Sequence, residues 1–359
     1  MRKLAEPDSP EWEKEKEFYL HSTYIERIEH ALQLGYKNIA SYRDRMLRDG
    51  VPSPSNSRSS VPPAPSPKEK PTIMPIPKIE LRLPPVQEER EQDEEQLALI
   101  SDEQIGLKTK TYNSKVVSKR YLRLYNAICR FADIHRKFCP VKKLNIFKLG
   151  DTLHGELIGK QIMLDELDIT LREQKILAVA EMANLLINAC QWYEKIDVEC
   201  VSGNHGVMGK QFSQTTHWEL EFYDLLKATL INYPQVSINV VADDFYFIKK
   251  IKNTKFLGLH GDKIPMYLSL PFYGIDRRSL RWKQSLPNWD ILTMGHFHTC
   301  SFFQASGIPI FINGTMSSDS RFVAQWLGIR EIAEMWTMFV GEKYGITAMH
   351  KIDLMREEG

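Results

Sequence analysis

The sequence has few cysteines and no long apolar run, and each scarcity excludes a class of protein. Its 359 residues contain five cysteines, an odd number without metal-type spacing, which argues against a disulfide framework and favours a reducing compartment. No apolar run approaches membrane-spanning length, and the charged N-terminus lacks the apolar stretch of a signal peptide. The composition therefore predicts a cytoplasmic protein without a membrane partner. The cysteines are Cys129, Cys139, Cys190, Cys200 and Cys300.

An excess of charge of one sign is missing as well. The chain has 47 lysines and arginines against 46 aspartates and glutamates. Because these charges almost cancel, no global basic surface points to nucleic acid, and any such surface must be local. The length allows two domains, or one large domain with an appendage.

The first 96 residues differ in texture from the rest. Residues 1–50 are predicted to be helical, because apolar residues recur at helical spacing from Tyr24 to Leu32 and a basic helix is predicted from Ile39 to Leu47. With the short turn at Gly35 between them, this is the outline of a DNA-binding helix-turn-helix; a hairpin for docking or dimerisation is the alternative. Residues 51–96, rich in proline and serine, are predicted to be a disordered linker.

From residue 97 to 359 short apolar runs alternate with helical patterns, which predicts α/β layering. The predicted order is a strand at Leu97–Ile100, a helix over about Ser118–Phe138, a strand ending at Leu149, helical pattern over about Ile162–Tyr193, and a strand at Ile196–Val201. After Tyr233 the pattern becomes strand-rich, and many of these strands are expected to pair antiparallel in a second sheet. They are Val236–Val241, Phe245–Ile251, Lys255–His260, Ile291–Met294, Ile308–Ile312, Met335–Val340 and Ile346–Ile352.

Five strand ends carry side chains of the types that bind metals. In open α/β sheets chemistry gathers beyond the carboxyl ends of the strands, and Gly150 would let the backbone turn so that Asp151 points into the crevice. Carboxylate, amide oxygen and imidazole together suit Mn²⁺, Fe²⁺ or Zn²⁺ better than Ca²⁺ or Mg²⁺. A turn could explain one such strand end, but not five. The residues are Asp102 with Gln104, Asp151, Asn204 with His205, His260, and His296 with His298.

In this order the motifs resemble those of the calcineurin-like metallophosphoesterase superfamily. They are Gly150-Asp151, Gly203-Asn204-His205, His260-Gly261-Asp262 and Gly295-His296-Phe297-His298. The resemblance covers residues 97–352 and within the superfamily is most similar to phage and bacterial SbcD-like DNA repair exonucleases, with weaker contributions from Pro271–Gly274 and Asn313–Met316. It implies a four-layer α/β/β/α sandwich to which the N-terminal helices are an appendage.

The resemblance also implies a two-metal site. One cation would be held by Asp102, Gln104, Asp151 and His298, and the other by Asp151, Asn204, His260 and His296, so that Asp151 bridges them. A hydroxide shared by the two cations would attack phosphorus in line. His205 would protonate the leaving oxygen, and His154 would lie on the substrate side. The implied cofactors are two divalent ions, with Mn²⁺ favoured over Fe²⁺ and Zn²⁺.

The first motif departs from the usual Asp-x-His of the superfamily, because Gln104 stands where a histidine is usual. A neutral amide is a poorer ligand than imidazole, so a weaker, manganese-dependent first site is expected. Some members that act on small nucleotide-type substrates carry Gln at this position, which leaves the substrate class open. Asp133-Ile134-His135 spells Asp-x-His literally, but residues two apart on a helix do not face each other, so a surface helix pair is expected.

Two basic segments bear on the substrate. Residues 267–289 mix cations with aromatics between two ligand motifs, and four lysines follow the first motif: Lys108, Lys110, Lys115 and Lys119. Cations beside aromatic faces suit nucleic-acid strands, and a solvated amphipathic helix is the alternative. The leading prediction is a two-metal phosphodiesterase acting on DNA, an exonuclease or endonuclease. The alternatives are a phosphodiesterase or phosphatase for cyclic nucleotides or nucleoside diphosphate conjugates, and a nucleic-acid-binding protein without turnover. An ATPase partner or a second copy of the chain stays open.

Overall fold

A computed structural model describes residues 9–21, 24–34, 39–48, 51, 93–156, 166–207, 216–267, 270–320 and 330–356. Contacts divide the chain into two compact units, residues 1–83 and 84–359. Among the described residues, no helix combines the length and the apolar character needed to cross a bilayer.

The first unit is helical in its described part, as predicted. Its helices are α1 (Pro10–His21), α2 (Tyr24–Gln33) and α3 (Ile39–Arg48). Although α1 reads as charged and polar, it buries Trp12 and Tyr19 in one apolar cluster with Tyr42 and Met46 of α3. The unit is thus built on three described helices rather than the two of the predicted helix-turn-helix. The predicted turn at Gly35 lies outside the described residues, and DNA binding by this unit stays a prediction.

Most of the predicted linker, 51–96, also lies outside the described residues. Strand β1 (Glu94–Ile100) begins three residues before the predicted Leu97. The polar residues at its start are accommodated by partners: Gln96 is buried and donates from Nε2 to Thr337 Oγ1 at 3.0 Å. Its Oε1 accepts from the Tyr193 hydroxyl at 2.6 Å. Because these polar groups are paired across the sheet, the strand tolerates them.

Sheet 1 is a six-stranded mixed sheet in the order β11-β10-β1-β2-β3-β4. Strands β1 to β4 run parallel, whereas β10 and β11 form an antiparallel pair on the outer side of β1. Helices connect the parallel strands, as a right-handed α/β crossover requires. The further elements are β2 (Val141–Lys148), β3 (Lys195–Cys200), β4 (Val236–Val240), β10 (Glu334–Gly341), β11 (Gly345–Asp353), α4 (Ser114–Arg136), α5 (Leu171–Ala189) and α6 (Trp218–Thr229).

Sheet 2 has five strands in the order β5-β6-β7-β9-β8. Its centre, β6-β7-β9, is parallel, and the outer strands β5 and β8 pair antiparallel. The elements are β5 (Tyr246–Ile251), β6 (Thr254–Leu259), α7 (Phe272–Ser285), β7 (Ile291–Met294), β8 (Ser301–Ala305) and β9 (Ile308–Ile312).

The two sheets pack face to face with helices on their outer faces. Alternate residues of β1 show this: Leu97 and Leu99 point into the core between the sheets, whereas Ala98 and Ile100 point into the core under α4, α5 and α6. On the far side of sheet 2, Ile275 and Trp282 of α7 pack on the strands. The predicted four-layer α/β/β/α sandwich is therefore confirmed.

Several boundaries and pairings differ from prediction. Helix α4 begins at Ser114 because Asn113 caps it, and α5 begins only at Leu171, where Thr170 and Glu173 form a capping box. Helix α6 and strand β8 had no predicted counterpart. Three of the strands expected in the second sheet, β4, β10 and β11, belong to sheet 1. Period-two alternation shows that a strand has a buried face but does not say which neighbour it pairs with.

A cluster of charges joins sheet 1 to sheet 2. Asp197 on β3 lies 3.0 Å from Lys143 on β2 and 3.0 Å from Lys249 on β5. Burial raises the pKa of Asp197, but the hydrogen bonds from Lys143 and Lys249 outweigh it, so the pKa falls below its ordinary value of 3.8. A carboxylate with a depressed pKa contributes stability that is present above the ordinary value and is lost as pH falls through the folded-state value.

We expect Asp197→Asn to lower the free energy of unfolding at neutral pH by about 1.5–3 kcal/mol, the range for hydrogen bonds to charged groups. The difference from wild type should shrink as pH falls below the ordinary carboxyl range, because wild-type Asp197 then becomes protonated too. Urea unfolding at a series of pH values measures this. Asp133→Asn, on an exposed side chain, is the control. A difference that is the same in acid and at neutral pH would contradict the role of the ionised carboxylate.

Candidate metal centre

The predicted ligands meet at the carboxyl ends of strands from both sheets. Asp102 follows β1, Asp151 follows β2 and Asn204 follows β3; His260 follows β6, and His296 follows β7. Backbone hydrogen bonds hold neighbouring loops together, from Asp102 N to Gly150 O and from Gly295 N to His260 O. The layered fold thus brings residues from five distant places in the sequence to one edge.

Asp151 is the centre of the cluster. Its carboxylate is buried; Oδ1 accepts a hydrogen bond from the backbone N of His205 at 2.8 Å. Oδ2 lies 3.1 Å from His260 Nε2 and 3.4 Å from Gln104 Nε2. The ring Nε2 of His205 lies 3.7 Å from the same oxygen. One carboxylate therefore touches groups from three other predicted motifs.

His260 is oriented by a backbone contact. Its Nδ1 lies 2.7 Å from the carbonyl of Leu149, so that Nε2 points toward Asn204 Oδ1 at 3.0 Å and His296 Nδ1 at 3.3 Å. Ligand atoms of Asp151, His260 and His296 all lie within 4.8 Å of one another. An imidazole held through one nitrogen and directed by the other is the usual arrangement of a histidine that binds a metal.

His298 is held between two carboxylates. Its Nδ1 lies 2.5 Å from Glu331 Oε1 and its Nε2 lies 3.3 Å from Asp102 Oδ1. This Asp102 oxygen is buried without a hydrogen-bond partner among the described residues. In this arrangement Asp102 and His298 have the positions of two metal ligands, and Glu331 supports the His298 ring from behind.

Gln104 lies between Asp151 and His154. Its Oε1 is 2.9 Å from His154 Nδ1, while its Nε2 faces Asp151. Burial, followed by the charge of His205, lowers the pKa of His154 to about 3, so its ring is neutral near pH 7 and cannot donate as an imidazolium acid. The Nε2 of His154 is buried and has no hydrogen-bond partner among the described residues. His154 thus faces the site as a neutral nitrogen base.

The charges of the site hold one another in place. Burial lowers the pKa of His260, but Asp151 more than offsets this and raises it to about 10, while the pKa of Asp151 falls well below its ordinary value. At the pair of His298 and Asp102, the hydrogen bond and the opposite charges outweigh the effect of burial. The pKa of His298 therefore rises above its ordinary value and the pKa of Asp102 falls below its own. Burial and the charge of His260 lower the pKa of His296 to about 4. Protons here occupy positions that a cation would take.

Five of the predicted residues have left-handed backbones, which side chains other than glycine rarely adopt. The φ angles are 52° at Asp102, 50° at Gln104, 57° at Asp151, 71° at His296 and 54° at His298. Each costs on the order of 1–3 kcal/mol unless the surroundings enforce it, and such residues cluster at functional sites. Their concentration at one edge of the sandwich makes it the candidate functional site.

Two glycines allow the loops to approach the carboxylates. A Cβ at Gly203 would lie 2.1 Å from Asp151 Oδ1, and a Cβ at Gly295 would lie 2.5 Å from Asp102 Oδ2. No larger residue fits either position without moving a carboxylate. Steric crowding therefore explains why the Gly-Asn-His and Gly-His-x-His motifs begin with glycine.

Two supporting carboxylates escaped prediction. Glu219, near the start of α6, accepts hydrogen bonds from the backbone N–H groups of Asp151, Thr152 and Gly203, at 3.2, 2.9 and 2.8 Å. Glu331 orients His298 and also accepts from the backbone N of Ser320 at 3.0 Å. Neither lies in a strand-end motif, and the only local signal is the position of Glu219 in the first turn of a helix that was not predicted.

The first motif rests on a buried ion pair. Glu103, between Asp102 and Gln104, contacts Lys148, and both side chains are fully buried. The hydroxyl of Tyr121 donates to the same Glu103 oxygen at 2.8 Å. From the loop after β9, Thr315 Oγ1 donates to the carbonyl of Asp102 at 2.7 Å. These contacts fix the loop that presents Asp102 and Gln104.

The donor set fits divalent cations. The separations of 3.0–3.3 Å between neighbouring donor atoms match those of ligands that share a cation at about 2.0–2.2 Å. Carboxylate, imidazole and amide oxygen suit Mn²⁺, Fe²⁺ and Zn²⁺. These residues are the ones that such a cation would use.

The literal Asp-x-His at Asp133 does not reach the site. The Asp133 side chain is 57% exposed and pairs with Arg136 at 3.8 Å. The expectation of a surface pair is wrong for His135, however, because this ring is largely buried and lies 2.8 Å from Glu94 at the other end of β1.

No protein-family model and no curated protein matches the chain. Among solved structures it is similar to an archaeal phosphodiesterase, with 12% identity over 72% of this chain and 99% of that chain and a TM-score of 0.34. It is also similar to a predicted phosphoesterase of Streptococcus pneumoniae, with 10% identity over 72% of this chain and 98% of that chain and a TM-score of 0.30. A third similar structure is vacuolar protein sorting 29 of Entamoeba histolytica complexed with zinc, with 12% identity over 72% of this chain and 99% of that chain and a TM-score of 0.30. Likenesses this low carry no argument about activity, and the likeness to SbcD-like exonucleases stays a prediction.

We expect Lys148→Met to lower the free energy of unfolding by about 3–5 kcal/mol, because it leaves the buried Glu103 carboxylate without its cation. Adding Glu103→Gln should recover part of this loss. Urea unfolding measures both. Lys142→Met, which breaks an exposed pair with Glu194, is the control and should cost less than about 1 kcal/mol. Equal effects of the two lysine substitutions would contradict the structural role of Lys148.

Proposed function

We propose that this chain is a two-metal phosphodiesterase. Asp102, Gln104, Asp151 and His298 would hold one cation, and Asp151, Asn204, His260 and His296 the other. The observation that carries the proposal is the convergence of groups from the other four strand ends around the Asp151 carboxylate. When bound, two such cations supply a water nucleophile at neutral pH and neutralise charge on the phosphoryl group.

The chain's own residues orient this site. The carbonyl of Leu149 and the carboxylate of Glu331 each hold one nitrogen of a ligand imidazole, of His260 and His298 respectively. They fix which ring nitrogen faces the cations and make that nitrogen a better ligand. Glu219 holds the loops of Asp151 and Gly203 at a fixed separation. The ligand geometry is thus set before a cation binds.

His205 is the proposed general acid. Its Nδ1 lies 3.0 Å from the carbonyl of His154, which leaves Nε2 on the side of Asp151. The side chain keeps 16% of its surface exposed, so a substrate oxygen can reach it. As an imidazolium it would donate the Nε2 proton to the leaving oxygen, a contribution of about 10²–10⁴ in rate.

Gln104 and His154 act together in this proposal. The amide of Gln104 bridges His154 and Asp151, so a cation that takes its oxygen as a ligand must share it with His154 or reverse the amide. A neutral, shared ligand binds a cation less tightly than imidazole does. The first site is therefore proposed to be the weaker one, and Mn²⁺ the metal that supports turnover.

DNA is the proposed substrate. The segment that follows the ligand His260 exposes two aromatic rings, Tyr267 at 68% and Tyr273 at 65%. Helix α7 continues it with the exposed cations Arg277 and Arg281. Bases stack on exposed aromatic rings, and arginines bind the phosphates between them. This surface, residues 266–267 and 270–283, supports a nucleic-acid strand as the substrate that is directed to the metals.

A small nucleotide is the second candidate, and a cleft supports it. The cleft, of about 570 Å³, is lined by His260 and Gly203 of the site and by the aromatic rings of Phe245 and Trp282. Three carboxylates also line it: Asp243, Asp244 and Asp262. Negative charge repels a long polyanion but can accept hydrogen bonds from a ribose or a base. The volume suits a single nucleotide.

We expect Asp151→Asn and Asp102→Asn to reduce Mn²⁺-dependent hydrolysis of bis-p-nitrophenyl phosphate by at least about a hundredfold, since each removes a charged ligand from the centre. Asp151→Asn should also lower the number of Mn²⁺ ions bound per chain more than Asp102→Asn does. Asp133→Asn is the matched control and should keep wild-type activity. If Asp133→Asn were inactive and Asp102→Asn active, the assignment of the first motif would be wrong.

End-labelled single- and double-stranded DNA, assayed beside cyclic nucleotides, separates the substrates. The double substitution Arg277→Ala with Arg281→Ala should raise the KM for DNA. It should also make the plot of log binding constant against log salt concentration less steep, by about one unit of slope per lost phosphate contact. Hydrolysis of the small ester should stay unchanged. DNA left intact while small esters turn over would remove the nuclease proposal. Metal binding without hydrolysis of any substrate would favour a binding protein.

A further inference from the structure

A second group of metal-binding side chains lies at the other end of β1. Glu94, the first residue of β1, His135, in the last turn of α4, and Cys139, just after α4, place one ligand atom each within 4.8 Å of the others. Ile100, at the opposite end of the same strand, is about 20 Å away at roughly 3.3 Å per residue, and Asp102 follows it. This group is therefore separate from the centre around Asp151.

The group already converges on the Glu94 carboxylate. His135 Nδ1 lies 2.8 Å from Glu94 Oε2, and the Cys139 thiol, which donates to the His135 carbonyl at 3.7 Å, lies within 4.8 Å of this carboxyl group. Thr347 of β11 donates to the other oxygen. Glu94 and His135 keep only 12% and 16% of their side-chain surface exposed. Polar hydrogens thus occupy the space between a thiol, an imidazole and a carboxylate.

The surroundings hold His135 in this position. Its ring stacks on Phe339 with centroids 3.5 Å apart and an interplanar angle of 6°. His350 lies edge-on to it at 5.7 Å, with a buried Nε2 that has no hydrogen-bond partner among the described residues. A helix end fixes the spacing of the other ligand, because Cys139 follows His135 by four residues and its backbone N donates to the His135 carbonyl at 2.9 Å.

We propose that Glu94, His135 and Cys139 form a structural zinc site. Thiolate, imidazole and carboxylate are ligands that Zn²⁺ takes together, whereas Mn²⁺ prefers the oxygen- and nitrogen-only set around Asp151. On binding, a zinc–sulfur bond replaces the sulfur–hydrogen bond of Cys139, and the thiol proton passes to solvent. The proton that His135 Nδ1 shares with Glu94 in the metal-free protein is exchanged through solvent for one on Nε2, so that Nδ1 can bind the cation. The cation would tie the end of α4 to the start of β1.

Co²⁺ titrated into the metal-free full-length protein tests the site, because a cysteine thiolate bound to Co²⁺ gives a near-ultraviolet charge-transfer band and ligands without sulfur do not. The expected result is this band in wild type and in Cys190→Ser, and its loss in Cys139→Ser. Cys190 is the control because it is a half-buried free cysteine at the end of another helix. Absence of the band in wild type, or its persistence in Cys139→Ser, would overturn the proposal.

Glu94→Gln serves as the second variant, because glutamine can keep the contacts to His135 and Thr347 while losing the charge. It is expected to keep the band but to weaken Co²⁺ binding by about tenfold or more. Unchanged affinity would overturn the role of Glu94 as a ligand. Zn²⁺ should raise the Tm of wild type and of Cys190→Ser more than that of Cys139→Ser, which keeps only the centre around Asp151, and an equal rise in all three would overturn the site. These readouts do not depend on hydrolysis, so they stand apart from the proposed phosphodiesterase.

Discussion

The arrangement of the strand-end loops depends on the contacts of one buried carboxylate, that of Asp151. Burying a charge is costly unless opposite charges and hydrogen bonds surround it. The His260 ring and the backbone N–H of His205 meet this need in the described structure. The same environment has donor atoms placed to receive cations. Fold stability and the proposed chemistry therefore rest on the same few contacts.

The loops around this carboxylate are strained, and the rest of the sandwich has to enforce them. Left-handed backbones at Asp102, Asp151 and His298 would relax in a free loop. They persist because each loop leaves a buried strand and is tied to the next by hydrogen bonds, such as that from Asp102 N to Gly150 O. Glu219 adds a carboxylate that binds backbone N–H groups of two loops at once.

Much of the site could be predicted because its ligands are local features: each follows a short apolar run, and glycine precedes most of them. Glu219 and Glu331 could not be predicted in this way, because they act on residues 68 and 33 positions away along the chain. The sheets show the same limit. The alternation in β10 correctly predicts a strand, yet it assigned the strand to the wrong sheet, because a pattern of buried faces does not encode a pairing partner.

The pairing of β1 with β10 has a consequence for how the chain reaches its native state. Gln96 and Thr337, which bond across these strands, are 241 residues apart. Contacts of such separation close slowly, and until β10 has been synthesised one edge of β1 has no partner. An open edge of this kind can pair with a strand of another molecule. In a nascent chain, the strand that presents Asp102 therefore lacks one neighbour until β10 has been made.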